Sequence, residues 1–198
     1  MEPLAVGFHA ASQGNAGIGQ KVLIMGAGCI GLVSMMACIA MGVQNITIVD
    51  VEEKRLAKAK ELGAVHTINA KTQDIRKAVQ SIADNGFDLC IETAGTQQTA
   101  KQCIQYSKKG ATVVLVGYSK ENEISLPINA ALDKELTIKS VFRYRNNYPT
   151  IIQAVADGKV PLKDIVSVVY PFDQVKQAMD DSIHLKKDIV KAVIKIKA

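Results

Sequence analysis

The stretch VLIMGAGCIGLVSMMACIAMGV, Val22 to Val43, contains no charged residue, and the run stays uncharged through QNITIV until Asp50. Its length suits a transmembrane helix, for which roughly 18 consecutive apolar residues suffice. Its punctuation does not. Gly26, Gly28 and Gly31 interrupt it in the pattern G-x-G-x-x-G directly after Val22, Leu23, Ile24 and Met25, which have the length and character of a buried strand. From Cys29 to Met41, Leu32, Val33, Met35, Met36 and Ile39 suit a helix buried on most sides, and Gly42 is a C-terminal stop. ITIVD, Ile46 to Asp50, then reads as a second buried strand. The absence of charge therefore comes from burial between layers of a folded domain. Only Lys21 stands near the run, whereas a membrane span carries basic or aromatic flanks.

The same alternation continues. EEKRLAKAKELG puts Leu56, Ala59 and Leu62 on one helical face, with Gly63 as a stop. VHTI (Val65 to Ile68) is a short strand, TQDIRKAVQSIADNG an amphipathic helix, and FDLCIE a buried strand ending at Glu92. A helix from about Gln97 to Ser107 leads to the strand ATVVLVG (Ala111 to Gly117), and ELTIKSVF supplies a sixth strand. Strands alternating with helices of this length imply a parallel sheet covered on both faces, with ligands bound outside the carboxyl ends of the strands.

Composition agrees with a soluble globular chain: 198 residues, 48% hydrophobic and 22% charged, with 24 basic against 19 acidic residues for a net charge of +5. Late lysines, Lys186, Lys187, Lys191, Lys195 and Lys197, alternate with Val190, Ala192, Ile194 and Ile196 as the wet face of a strand does. No aromatic residues interleave with them, which argues against nucleic-acid binding. Cys29, Cys38, Cys90 and Cys103 lack C-x-x-C spacing and read as reduced packing residues of a cytoplasmic protein. MEPLAVGFHAASQG has no secretory pattern. His9, His66 and His184 are scattered and receive no catalytic role.

Within this frame Gly26 permits a tight turn, Gly28 lets the backbone approach a pyrophosphate, and Gly31 allows helix to pack on strand. Asp50 closes the next strand about 20 residues on, where a carboxylate accepts ribose hydroxyls. The alternative role for Asp50 is to cap the helix beginning near Glu52. Val51, Glu52 and Glu53 offer no clamp for a 2′-phosphate, so NAD is expected rather than NADP; Arg55, one turn into the helix, lies over the adenosine or in solvent.

EPLAVGFHA, VLIMGAGCIG, IVD with Arg55 beyond it, IETAG, LVG (Leu115 to Gly117) and SVFRYRN (Ser140 to Asn146) together resemble the cofactor-binding half of the sorbitol (L-iditol) branch of the zinc-dependent medium-chain dehydrogenases. The resemblance spans nearly the whole chain and implies a Rossmann fold: a doubly wound, parallel, six-stranded α/β sheet with helices on both faces. It implies three parts, an inter-domain helix and loop at 1–16, an NAD-binding domain at 17–160, and a segment at 161–198 that returns to a catalytic domain. It assigns Ile30, Asp50, Arg55, Val116, Gly117, Tyr118, Val141, Phe142 and Arg143 to the NAD site beside the glycines, Glu2 to the neighbourhood of the catalytic zinc or its water, and Arg143 with Tyr144 to the polyol hydroxyls. Ile30 and Val116 equally suit plain core, Tyr118 a surface loop, and Arg143 with Tyr144 a subunit contact.

The family's zinc ligands, a Cys, a His and a Glu, stand in an N-terminal domain, and no three ligands of zinc-like spacing occur in this sequence. The expectation is accordingly a fragment, an independent short gene product being the alternative, that binds NAD, forms a homo-oligomer, and turns over no polyol by itself. A self-standing NAD-binding module or sensor is the competing class, and another secondary alcohol or threonine the competing substrate. Glu2, Arg143 and Tyr144 favour the dehydrogenase, since a sensor would not need them.

Overall fold

The computed structural model of the chain describes residues 1–185 and 187–196. A helix, α1 (Glu2–Gln13), is followed by β1 (Lys21–Met25), α2 (Cys29–Ala40), β2 (Asn45–Asp50), α3 (Glu53–Glu61), β3 (His66–Asn69), α4 (Ile75–Ile82), β4 (Phe87–Glu92), α5 (Gln97–Tyr106), β5 (Ser107–Leu115), α6 (Ile128–Asp133) and β6 (Thr137–Ser140). The strands form one parallel sheet in the order β3-β2-β1-β4-β5-β6. This is the expected doubly wound Rossmann sheet, and its strand order reverses between β1 and β4.

Burial on both faces explains the uncharged strands. Along β1, Val22 and Ile24 enter the core shared with α1, α2 and α3, while Leu23 and Met25 enter the core under α4 and α5. Side chains alternate across a strand, so a strand covered on both sides needs apolar residues at every position. Helix α1 crosses α2 closely because Gly7 has no side chain: a Cβ there would lie 2.5 Å from the Val33 carbonyl oxygen.

Two strands differ most in extent from the sequence reading. The fifth strand begins at Ser107, immediately after α5, rather than at Ala111. Gly86, at φ +90°, lets the chain approach there; a Cβ on it would lie 2.7 Å from the Lys108 nitrogen. The sixth strand is four residues rather than eight, bounded by positive φ at Glu135 and Arg143.

Beyond the sheet lie α7 (Tyr148–Ala156), β7 (Val168–Pro171), α8 (Val175–His184) and β8 (Ala192–Lys195); β7 and β8 pair in a separate two-stranded parallel sheet. The expected lysine-bearing strand is β8, with Ala192 and Ile194 half-buried and Lys195 exposed. Lys191 precedes it and is half-buried, so it departs from the wet face assigned to it. Lys186 and Lys197 lie outside the described residues. Among the described residues no helix is long and apolar enough to cross a membrane, and the run from Val22 to Val43 is strand, turn and helix.

Candidate functional site

The glycines of the β1–α2 turn do different work. Gly26 sits at φ +105°, where side chains are disfavoured, and donates its N–H to the Val49 carbonyl at 2.7 Å. A Cβ on Gly31 would collide with the Gly26 carbonyl. Gly28 has ordinary extended backbone, φ −72° and ψ −174°, and a Cβ there would meet no protein atom within 4 Å. Neither backbone nor packing in the chain itself demands a glycine at Gly28. The open space lies at the start of α2, which has no side-chain cap and no acidic residue in its first turn, so its N–H groups and dipole present positive potential there.

Asp50 flanks this turn and is 8% exposed. Its Oδ2 accepts the Ala27 N–H at 2.7 Å, tying β2 to the glycine turn, and its Oδ1 accepts those of Val51 and Glu52 at 2.7 and 2.9 Å. Helix α3 takes Glu52 as its N-cap without a side-chain bond, so Asp50 orders the turn before the helix rather than capping it. An Arg55 guanidinium nitrogen stands 3.8 Å from Asp50 Oδ2. Lys71 bonds Glu52 at 2.8 Å and holds its carboxyl below the usual range; Asn69 donates to Glu53 at 2.7 Å. Lys71 thus offsets one of the acidic charges read as repelling a 2′-phosphate.

A cavity of about 610 Å³ opens beside these residues, lined by Gly26, Gly28, Asp50, Arg55, Thr93 and Thr99 among others. A larger one, about 770 Å³, lies at the opposite ends of the strands among Arg76, Lys108, Lys109 and Lys134. Its position argues against an anionic ligand, because helix carboxyl ends face it. Lys134 Nζ donates to the carbonyls of Ile104, Gln105 and Ser107 at the end of α5, and Lys108 pairs with Asp88.

The remaining expected site residues lie just past the ends of β5 and β6, apart from Ile30 in α2 and Glu2 in α1. Thr93, which the sequence reading missed, donates from Oγ1 to the Met25 and Gly26 carbonyls at 2.9 and 3.2 Å. Val116 and Gly117 donate their N–H groups to the Glu92 carbonyl at 2.9 and 3.0 Å, and Val141 to that of Leu115 at 2.9 Å. Val116 and Val141 are half-buried against the core, and Ile30 is half-buried in the first turn of α2. Tyr118 and Phe142 are exposed, and Arg143 lies over the Phe142 ring at 5.4 Å. Arg143, Asn146, Asn15 and Glu135 are the described non-glycine residues with positive φ; two of them fall in the FRYRN loop, and strained backbone of this kind clusters at functional sites.

That loop is tied to α1. Asn147 donates from Nδ2 to the Ala5 carbonyl at 2.9 Å, and the Tyr144 and Tyr148 rings meet edge to face at 5.2 Å. The Tyr148 phenol is raised by its hydrogen bond to Tyr144, with a smaller contribution from the Glu2 charge. The Cys29 thiol is raised by burial, opposed by Lys191 and reinforced by Glu2. The Glu2 charge thus acts on both the Tyr148 phenol and the Cys29 thiol, and that of Lys191 on the thiol. Lys191 and Tyr148 carry no motif that sequence reading could use, and Glu92 and Thr93 entered it only within IETAG, without a site role. His9 is half-buried and lowered by burial and then by Arg145. Among the described residues no three His, Cys, Asp or Glu side chains gather as a metal site requires.

Residues 29–157 match the family described as zinc-binding dehydrogenase. The uncharacterised zinc-type alcohol dehydrogenase-like protein YdjJ of Escherichia coli K12 is 41% identical, over 99% of this chain and 56% of its own. Sorbitol dehydrogenase of Bacillus subtilis is 34% identical, over 98% and 55%. Among solved structures, an E. coli oxidoreductase of unknown specificity superposes with a TM-score of 0.94 at 40% identity, covering all of this chain and 56% of that one. L-idonate 5-dehydrogenase of E. coli K-12 gives 0.89 at 27%, covering 98% and 55%. The chain spans about half the length of these relatives. It belongs to the zinc-binding dehydrogenase family, of which it forms the cofactor-binding half.

Proposed function

We propose that the chain binds NAD as the cofactor-binding half of a dehydrogenase acting on a polyol of the sorbitol or L-iditol type. The observation that carries the NAD reading is Gly28, whose missing Cβ leaves an open cradle at an uncapped helix N-terminus beside a buried carboxylate. A pyrophosphate fills such a cradle, and Asp50 accepts from the adenosine ribose. When bound, the nicotinamide accepts hydride at C4 from the carbon bearing the substrate hydroxyl. This chain's residues bind and orient it: the ends of β5 and β6, at Val116 to Tyr118 and Val141 to Arg143, shape the nicotinamide side, and Lys191 supplies a cation near the start of α2. Arg143 and Tyr144 offer donors to polyol hydroxyls, and Glu2, whose charge acts on Tyr148, is the carboxylate assigned to the reaction centre.

Among the described residues no side-chain group fits the zinc of the family, and a polyol-oxidising assembly requires the part of the relatives that this chain does not span. The polyol reading draws on the relatives named sorbitol dehydrogenase; the similarity to L-idonate 5-dehydrogenase makes a sugar acid the nearest rival.

Calorimetric titration with NADH and NADPH tests the cofactor. NADH should bind more tightly, because a 2′-phosphate would be pressed against the Asp50 carboxylate. Asp50→Ala should weaken NADH by about 1.5–3 kcal/mol, the cost of a lost charged hydrogen bond, and narrow the preference. Equal affinity of the wild-type chain for the two would refute the assignment.

A further inference from the structure

We propose that Glu92 is a positioning residue for the nicotinamide half of the dinucleotide, acting through the turn that follows β4; this rests on the NAD reading above. Glu92 is 2% exposed at the end of β4, whose other carboxylate, Asp88, is half-buried near its start, and a carboxylate is buried so deeply only where it is well bonded. Its Oε1 accepts from the Ala94 N–H at 2.9 Å, the Gly95 N–H at 2.9 Å and the Thr99 hydroxyl at 2.7 Å. Its Oε2 faces the end of β5, where a Cβ on Gly117 would lie 2.5 Å from it. Gly95, at φ +68°, leaves no room for a Cβ against the Tyr118 carbonyl. The carboxylate is thus the centre about which residues 94–95 and 117–118 close on each other.

Topology assigns this lock to one half of the ligand. Asp50 ends β2 and Glu92 ends β4, on opposite sides of β1. A dinucleotide whose pyrophosphate sits at Gly28, above the end of β1, and whose adenosine ribose meets Asp50 must extend its other half over the ends of β4 and β5. Gly95 and residues 117–118 form the wall it meets, and their separation is set by Glu92, while Ala94 faces the cavity beside Asp50. The adenosine end has its own fastenings, through Ala27 to Asp50.

The 198-residue chain is titrated with NADH and with ADP-ribose, which lacks the nicotinamide, and its unfolding is followed in parallel. Glu92→Ala should weaken NADH about tenfold or more, as loss of a charge-assisted hydrogen-bonded group does, while ADP-ribose stays within about twofold. Glu92→Gln keeps an acceptor oxygen for the turn and should recover most of the NADH affinity. If Glu92→Ala does not fold, Glu92→Asp, which draws the carboxylate back from its three donors, should produce the same selective loss at about threefold. Equal loss of both ligands in step with stability would make Glu92 a scaffold residue only and overturn the proposal, as would unchanged NADH affinity. Failure of the wild-type chain to bind either ligand would instead overturn the dinucleotide reading and this role with it.

Discussion

Gly28 separates a residue kept for a ligand from residues kept for the chain. Gly26 needs positive φ and Gly31 needs contact with the Gly26 carbonyl, so replacing either disturbs the fold itself. Gly28→Ala meets no protein atom and should change unfolding free energy by less than about 1 kcal/mol. The new methyl group would occupy the approach of a phosphate, so NADH affinity should fall by about 2 kcal/mol or more, roughly thirtyfold; unchanged affinity by titration would show that no phosphate comes there. The cysteines make a prediction about alkali. Burial pushes the thiols of Cys38 and Cys90 up to about 12 from the usual 9.0. In the unfolded chain they ionise near 9, so the unfolded state releases protons first and stability falls as pH rises from about 9 towards 12. Urea midpoints measured across that window should drop, and Cys38→Ala with Cys90→Ala should flatten the slope, after allowance for the cavities they leave.

Among the elements, α1 was legible as a helix linked to the fold by resemblance, but its role is set by contact. Its Leu4, Ala5, Phe8, Ala10 and Ala11 are buried in the core it shares with α2, and Gly7 sets the distance between the two helices. Gly7→Ala would place a methyl 2.5 Å from backbone of α2, which cannot rotate away, and is expected to cost about 1–3 kcal/mol by denaturant titration despite alanine's higher helix propensity. A gain in stability would show that the two helices are not held at that distance. The end of α5 shows another cause hidden from sequence: Lys134 reaches it from the far side of α6 to take three carbonyls, and burial lowers that ammonium.

For the whole molecule, the open edge at β6 is the feature that bears on assembly. The strand is short, but Ile138 is 37% exposed and neighbouring Ile128 and Leu132 are exposed as well. Lys139, a charge that could blunt the edge, is instead drawn onto the Gln13 carbonyl at 2.8 Å. We expect two copies to meet at this edge, so light scattering at micromolar concentration should give a dimer or larger species, and Ile138→Lys should lower the mass to that of a monomer. A monomeric wild type would count against it. Val169, Phe172, Met179 and Ile183, between β7 and the end of α8, are exposed as well.

The amino-acid sequence by itself determined the strand and helix alternation, the parallel sheet and the glycine turn with Asp50, because local periodicity and the steric needs of glycine act over a few residues. It also carried the FRYRN loop, through resemblance rather than physics. Only the tertiary structure decided that Gly28 is the glycine the chain does not need, that Asp50 holds the turn rather than caps α3, and that Lys71 offsets Glu52. The same holds for Glu92, whose partners at Ala94, Gly95, Thr99 and Gly117 come from three elements. Such groupings depend on distances between strand ends far apart in the chain, and those distances exist only once the sheet has closed around its two cores.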